Sequence, residues 1–354
     1  MFNYPPRKGF IETPVDYFYR PLMLAIDRVE SKPIRRKSTR WCFGNEKRIE
    51  IMLDAQRQLF YRLGKQRRMF GYWFHTELTH DSESLGAAAD KIIKNFFADL
   101  VDRGLLNNTV LFVMGDHGHR FAKIRRTAIG RIEERMPFFS ITFPRWFQVK
   151  YPHIMENLRT NKHRLSTPFD VHETLTDILN SNFEGYQRPP KSRGFSQLYE
   201  IPENRSCYTA GIPDIYCTCQ RVEIPVPVND SSVEAAAGLI VIELNDRLEI
   251  YANVCAPLHL SSIKNAIKIH SDEQEGKPAG DQLLITLETK PGGGLFESLV
   301  VLEQYSNFPA LVLNDIIRTN RYGNQSACIE DHELKKYCFC KTMLNSTEPL
   351  SNEY

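Results

Sequence analysis

Asp116 and His117 stand side by side in Gly115-Asp116-His117-Gly118, directly after the apolar run Thr109-Val110-Leu111-Phe112-Val113-Met114. A carboxylate oxygen and an imidazole nitrogen at the end of a strand can hold one divalent ion between them. Such a mixed donor set suits zinc or manganese better than calcium. The flanking glycines leave room for tight turns and close approach of a ligand. The competing reading is an Asp that caps the following turn beside an incidental His. His75 and His80 lie in the polar loop after Tyr72-Trp73-Phe74, a second strand end that could face the same crevice. His172 lies in Phe169-Asp170-Val171-His172-Glu173-Thr174-Leu175. Each of these three also reads as a surface histidine or a satisfied core histidine. Arg120, Arg125, Arg126 and Arg131 follow the Asp-His pair closely. Guanidinium forks suit the two-point grip of a tetrahedral oxyanion, and the alternative for these four is a solvated loop.

The elements that must position these residues come from hydrophobic periodicity. Residues 49–63 carry Ile49, Met52, Leu53, Leu59, Phe60 and Leu63 at helical spacing, with Gly64 as a stop. The pairs Ile92/Ile93, Phe96/Phe97 and Leu100/Val101 recur one turn apart and predict a helix ended by Gly104. Residues 72–74 read as a short buried strand. Residues 109–114 read as a strand buried on both faces, as in a parallel sheet covered by helices. A further strand is expected over 138–143, and a helix over 169–179 with Val171, Leu175, Ile178 and Leu179 on its buried side. Strand and helix alternating in this way predict the α/β class with a doubly wound sheet. Beyond residue 200 the rhythm changes. Residues 239–242, 248–251, 283–287 and 299–302 read as short strands, and Pro291-Gly292-Gly293-Gly294 as a turn. The polar stretch 187–194 predicts a boundary between a first domain over 1–195 and a small Cys-rich α+β domain over 196–354.

Composition narrows the function classes. The 354 residues are 42% hydrophobic and 25% charged, which excludes wholesale disorder. Lys and Arg total 45 against 43 Asp and Glu, a net charge of +2, so a dedicated nucleic-acid binder is excluded as the leading reading. No apolar run approaches the length of a membrane span. Of eight cysteines only Cys42 precedes residue 207. The doublets Cys217-Thr218-Cys219 and Cys338-Phe339-Cys340 do not fit the C-x₂₋₄-C spacing of structural zinc, so disulfides are expected in the tail rather than metal. Five N-x-[ST] sequons, at Asn107, Asn204, Asn229, Asn324 and Asn345, also point to an oxidising, secretory compartment. The opening MFNYPPRKGFIETP nevertheless has no apolar leader. Either the protein stays inside the cell, or its beginning is missing. The basic stretch Lys32-Pro33-Ile34-Arg35-Arg36-Lys37 reads as a solvated loop, with an anion-binding or processing patch as the alternative.

Three ordered blocks, TVLFVMGDHGHRF, GRIEERMPFFSITFP and RLSTPFDVHETLTDIL, resemble the alkaline-phosphatase/sulfatase superfamily. They echo its strand ending in Asp-His-Gly, its Glu-x-x-x-Pro segment before another strand, and its Asp-x-x-x-Thr-Leu helix. More closely, the chain resembles the sulfatase-like group called domain of unknown function 229. The matches are ETPVDYFYRP, FHTELTHD, RSCYTAGIPDIYCTC and RYGNQSACIEDHELKKYCFC, and the resemblance covers nearly the whole chain. It implies the C-terminal part of an alkaline-phosphatase/sulfatase-like doubly wound sheet, followed by the Cys-rich domain. It also implies hydrolysis of a phosphate or sulfate ester, with a glycan as one carrier of the ester, at a divalent metal centre. Zinc is the first candidate, with calcium and manganese as alternatives.

In that resemblance Asp116 and His117 match metal ligands, and His80 stands where a further His binds metal or oxyanion. His172 and Arg120 are the substrate-binding candidates. No C-x-P-x-R sequence and no strand ending in Asp-Asp is present, and Arg40-Trp41-Cys42-Phe43-Gly44 does not match the modified-cysteine motif. No catalytic nucleophile is therefore assigned. The expectation is the second half of a secreted or luminal hydrolase with its tail, partial or inactive as an enzyme. The alternative is a non-catalytic extracellular descendant that binds glycan or protein.

Overall fold

The computed structural model of the chain describes residues 10, 12–29, 39, 41–64, 66–80, 82, 84–180, 183, 192–219, 222–271, 280–302 and 309–344. The elements in chain order are α1 (Arg20–Val29), β1 (Cys42–Phe43), β2 (Glu46–Lys47), α2 (Arg48–Leu63), α3 (Gly86–Asp102), β3 (Leu111–Met114), α4 (Ala128–Arg135), β4 (Phe139–Thr142), α5 (Arg145–Lys150), α6 (Pro152–Asn161), α7 (Pro168–Asn180), β5 (Val222–Pro225), α8 (Ser231–Leu248), β6 (His259–Ser271), β7 (Gly280–Lys290), β8 (Gly294–Leu302) and β9 (Pro309–Arg318). They form two compact units: residues 1–114 with 139–145, and residues 115–138 with 146–354. The second unit runs across the expected boundary at 187–194, most of which lies outside the described residues, as do the basic stretch 32–37 and Asn345.

The first unit is built on α2 and α3, which form where apolar spacing requires them. Ile49, Leu53 and Phe60 of α2 meet Ala89, Phe96 and Leu100 of α3 in one core, closed by Leu105. Gly104 turns the chain out of α3 at φ 64°, and Leu105 N–H reaches back to the Leu100 carbonyl at 2.9 Å. Residues 72–74 form no strand. Trp73 packs against Phe60 with ring centroids 5.5 Å apart, so the aromatic run covers the helix pair instead. β3 and β4 pair with each other, antiparallel, from Leu111 opposite Thr142 to Met114 opposite Phe139. Every strand pairing among the described residues is antiparallel, in place of the parallel pairing expected for β3. β3 is also only half-buried, with Met114 43% exposed. An unbroken apolar run marks a strand, but the direction of its partner is decided by the returning chain, here the excursion 115–138.

In the second unit β5 to β9 form a five-stranded sheet in sequential order. Leu283, Ile285 and Leu287 of β7 and Phe296 and Val300 of β8 face α8. Leu284 and Leu299 face the other way and pack with Ile215, Ile267 and Ile269, as period-two alternation demands. The strands expected at 283–287 and 299–302 lie within β7 and β8, and residues 291–293 make the turn, with Gly292 and Gly293 at positive φ. The strands expected at 239–242 and 248–251 are absent. The first lies inside α8 and the second spans its end and a 3₁₀ turn. Val233, Ala236, Ala237, Ile240, Leu244 and Leu248 are buried at three- and four-residue spacing, and the Asp230 side chain caps the helix by accepting Ser232 N–H. A four-residue apolar window is too short to separate a strand from the buried stripe of such a helix.

Three disulfides join Cys207 to Cys217, Cys255 to Cys338, and Cys328 to Cys340. Cys42 and Cys219 are unbonded. The disulfide reading of the Cys-rich tail therefore holds for six of its seven cysteines.

Candidate functional site

The Asp116–His117 loop opens the excursion between β3 and β4. Gly115 N–H donates to the Phe138 carbonyl at 2.9 Å, and Gly118 N–H donates to the Glu134 carbonyl at 2.8 Å. A Cβ at position 118 would lie 2.3 Å from the Glu133 carbonyl oxygen, so only glycine lets the loop lie against α4. His117 N–H donates to Asp116 Oδ1 at 3.0 Å. His117 Nδ1 lies 2.7 Å from the Gly118 carbonyl. A carbonyl only accepts, so Nδ1 donates, and the tautomer this contact selects has its lone pair on Nε2. That nitrogen is 3.6 Å from Asp116 Oδ2. Two ligand bonds of about 2.1 Å at a tetrahedral angle separate their donor atoms by about 3.4 Å, so the spacing fits two ligands of one ion. Both side chains are open to solvent, Asp116 at 56% and His117 at 41%.

The helix beneath this loop is inverted. α4 buries Gly130, Arg131 and Glu134, while Ile129 and Ile132 on α4, and Met136 just after it, are exposed. Charge enters a protein interior only when paired, and here the pairing is extensive. Arg125 bonds Glu297 through two nitrogens, at 2.8 and 3.2 Å, and also contacts Glu134. Arg135 reaches Glu297 at 3.3 Å, and Arg131 reaches Glu223 of β5 at 2.8 Å. Burial raises the Glu134 carboxyl pKa and lowers that of Arg135. Burial also pulls the Arg125 guanidinium down, but Glu297 and Glu134 outweigh it and hold it above its usual value. Arg125 and Arg131 are therefore structural cations, not oxyanion forks and not part of a solvated loop. Arg126 is exposed, and Arg120 is exposed with its guanidinium 5.7 Å from the Phe121 ring centre.

α7 follows the same inverted logic. Its buried residues are Asp170, Glu173, Thr174 and Asp177, and Leu179, expected inside, is 82% exposed. Asp170 accepts two bonds from Arg205, at 2.8 and 3.0 Å, and the N–H groups of Thr167 and Phe195. Thr174 Oγ1 donates to the Asp170 carbonyl and accepts Gln197 N–H. Asp177 accepts the Ser196 hydroxyl at 2.7 Å, and burial raises its carboxyl pKa. The Asp-x-x-x-Thr block thus locks α7 to residues 193–205. His172 lies on the outer side, its side chain 77% exposed, with Nδ1 3.7 Å from Glu173 Oε1.

His80 is exposed in the first unit, its N–H bonded to the Thr76 carbonyl. His75 Nε2 lies 2.7 Å from Gln56 Nε2, which donates, and burial lowers the pKa of the ring. It is a half-buried histidine satisfied at Nε2 only, its buried Nδ1 having no hydrogen-bond partner among the described residues. Among the described residues of the second unit, groups of three candidate donors within 4.8 Å of one another consist of cysteines only. Asp116 and His117 therefore fit an ion as two ligands, and neither His172 nor any other described His, Cys, Asp or Glu of that unit stands close enough to be a third.

Sequence reasoning missed Glu297, Glu134 and the Gly118 carbonyl. Glu297 had one signal, a lone charge within the apolar strand Gly294-Leu295-Phe296-Glu297-Ser298-Leu299-Val300-Val301-Leu302.

Fold and site together define a disulfide-bonded protein of mixed helix and antiparallel sheet that displays an Asp-His pair on a glycine-flanked loop. The family model described as protein of unknown function (DUF229) matches residues 1–264, and the chain belongs to that family. No curated protein and no solved structure matches it significantly.

Proposed function

We propose that this chain carries the Asp-His arm of a metal-dependent phosphate- or sulfate-ester hydrolase of the sulfatase-like type, and that the 354 residues do not turn over substrate by themselves. The observation that supports this best is the Gly118 carbonyl on His117 Nδ1. It leaves the Nε2 lone pair beside Asp116 Oδ2, the arrangement by which an outer carbonyl orients a metal-bound histidine. Zinc is the favoured ion, with manganese and calcium as weaker candidates, and when bound it would stabilise negative charge on an ester oxygen. Asp116 and His117 supply two ligands, and His80 is the proposed third. His172 and Arg120 are proposed to meet the ester, whose carrier includes glycans. The doubly wound sulfatase-like sheet belongs to the same proposal.

A second reading, a non-catalytic extracellular glycan- or protein-binding descendant, is favoured by two findings. Arg125 and Arg131, two of the four arginines that follow the pair, are engaged with Glu297, Glu134 and Glu223, and no C-x-P-x-R sequence occurs in the chain. Both readings place the protein in the secretory pathway. That placement is supported by the three disulfides and by the exposure of Asn107, Asn204, Asn229 and Asn324 at their sequons. No helix among the described residues is long and apolar enough to cross a membrane.

Titration calorimetry of the folded chain with zinc, manganese and calcium tests the metal arm. Zinc heat should appear in the wild type and vanish in Asp116→Ala and in His117→Ala, with circular dichroism unchanged. Zinc binding unaltered by both variants overturns the metal arm. Turnover of an aryl phosphate or aryl sulfate that Asp116→Ala abolishes would overturn the claim of inactivity and the non-catalytic reading together.

A further inference from the structure

Cys219 is unbonded, yet its Sγ lies 3.3 Å from Sγ of Cys207, which is disulfide-bonded to Cys217. All three sulfurs fall within 4.8 Å of one another. Thr218 alone separates the two candidate partners of Cys207, so both arrive at it on one short arm of chain. We propose that Cys207 exchanges partners, and that the protein holds two disulfide isomers, Cys207–Cys217 and Cys207–Cys219.

The step is balanced within the chain. The Cys219 thiol gives its proton to solvent, and its thiolate attacks Sγ of Cys207. The Cys207–Cys219 bond forms as the Cys207–Cys217 bond breaks, and Cys217 leaves with the bonding pair and takes up a proton. The number of disulfides is unchanged, and no oxidant or reductant is consumed. Ring closure favours neither isomer, because the sequence separations are 10 and 12 residues and closure entropy varies only with the logarithm of length. The other doublet makes the contrast. Cys338 and Cys340 are both bonded, so no thiol stands beside them to attack, although Cys328 Sγ lies 3.7 Å from Cys338 Sγ.

Exchange also has somewhere to act. Cys219 precedes the first residue of β5 by three positions, and Glu223 of β5 holds Arg131 beneath the Asp116–His117 loop. Bonding at Cys219 anchors the chain two residues nearer to that strand than bonding at Cys217.

The test is alkylation of the oxidised full chain. The protein is held in mildly alkaline buffer, quenched with acid and labelled with N-ethylmaleimide without reduction. Fragment ions on either side of Thr218 then locate the label. Cys217 and Cys219 should both be labelled, each with at least about a tenth of the total, given the near-equal closure cost. In Cys217→Ser, Cys207 should escape labelling because it is bonded to Cys219. Label confined to one cysteine of the doublet, whichever it is, overturns the proposal. A folded Cys217→Ser variant in which Cys207 and Cys219 are both labelled does the same. If that variant fails to fold, the wild-type partition decides alone.

Discussion

Glu297→Gln removes one of four buried charges while keeping the shape of the side chain. In the native chain Arg125 and Arg135 face Glu134 and Glu297, and all four side chains are less than a tenth exposed. The variant leaves two guanidiniums against one carboxylate. Three bonds to Glu297, at 2.8, 3.2 and 3.3 Å, lose their charge. Removing one partner of a buried ion pair costs about 3–5 kcal/mol. The amide still offers an acceptor oxygen, so about 3 kcal/mol is expected for Gln and a larger loss for Ala. At about 2–4 °C per kcal/mol for a unit of this size, the melting temperature should fall by about 10 °C. Urea titration followed by far-ultraviolet circular dichroism measures the loss. Limited trypsin digestion should show faster cleavage after the exposed Arg120, because the excursion is tied to β8 through this cluster. The double variant Arg125→Met/Glu297→Leu removes one charge of each sign and leaves the mutual attraction of Glu134 and Arg135, so it should recover part of the stability, since apolar replacement of a whole buried pair is close to neutral. A loss under about 0.5 kcal/mol in Glu297→Gln, the range of ordinary surface changes, would refute the reasoning.

Three further outcomes are expected. Replacing Cys255 and Cys338 by Ser should cost about 4.5 kcal/mol, and replacing Cys328 and Cys340 about 2.8 kcal/mol, because the closed loops are 83 and 12 residues long; equal losses in urea titration would contradict this. Asp281 accepts bonds from Lys268 and then His270, which hold its carboxyl below the usual value. Its stabilisation is complete above the unfolded carboxylate pKa and is lost as pH falls through the lower folded value, so the urea midpoint of Asp281→Asn should fall less than that of the wild type between neutral pH and about pH 3. Gly118→Ala should weaken zinc binding while leaving both ligands in place, because its Cβ meets the Glu133 carbonyl at 2.3 Å and forces the loop off α4; wild-type affinity by calorimetry would show that the loop tolerates the shift.

Legibility followed burial of apolar groups. The 49–63 helix and the paired apolar turns of α3 were readable because each buries a stripe at helical period, and β7 and β8 because they are apolar and end at a glycine turn. The buried face of α7 was misread at Leu179, and α4 was not read as a helix at all. Their apolar residues suggest an inward side, yet Ile129, Ile132 and Leu179 face out, while Arg131, Glu134, Asp170 and Asp177 face in. Which stripe of such a helix is buried depends on whether opposite charges await it, and the partners lie far away in sequence: Glu297 is 172 residues from Arg125, and Arg205 is 35 from Asp170. Of the candidate site, adjacency of Asp116 and His117 was visible in the sequence. The tautomer of His117 was not, because it depends on where the Gly118 carbonyl points.

Local chemistry alone therefore determined that the chain is globular, that its tail is disulfide-bonded, and that carboxylate and imidazole meet at a strand end. Those properties depend on neighbouring residues and on composition, which act before the chain is folded. Only the tertiary structure decided the antiparallel return of β4 beside β3, the use of Arg125 and Arg131 as buried cations, and the contact that leaves Cys219 against Cys207. Each of these depends on the energy of a group once water is removed from it. That energy is set by the distant residue that takes the water's place.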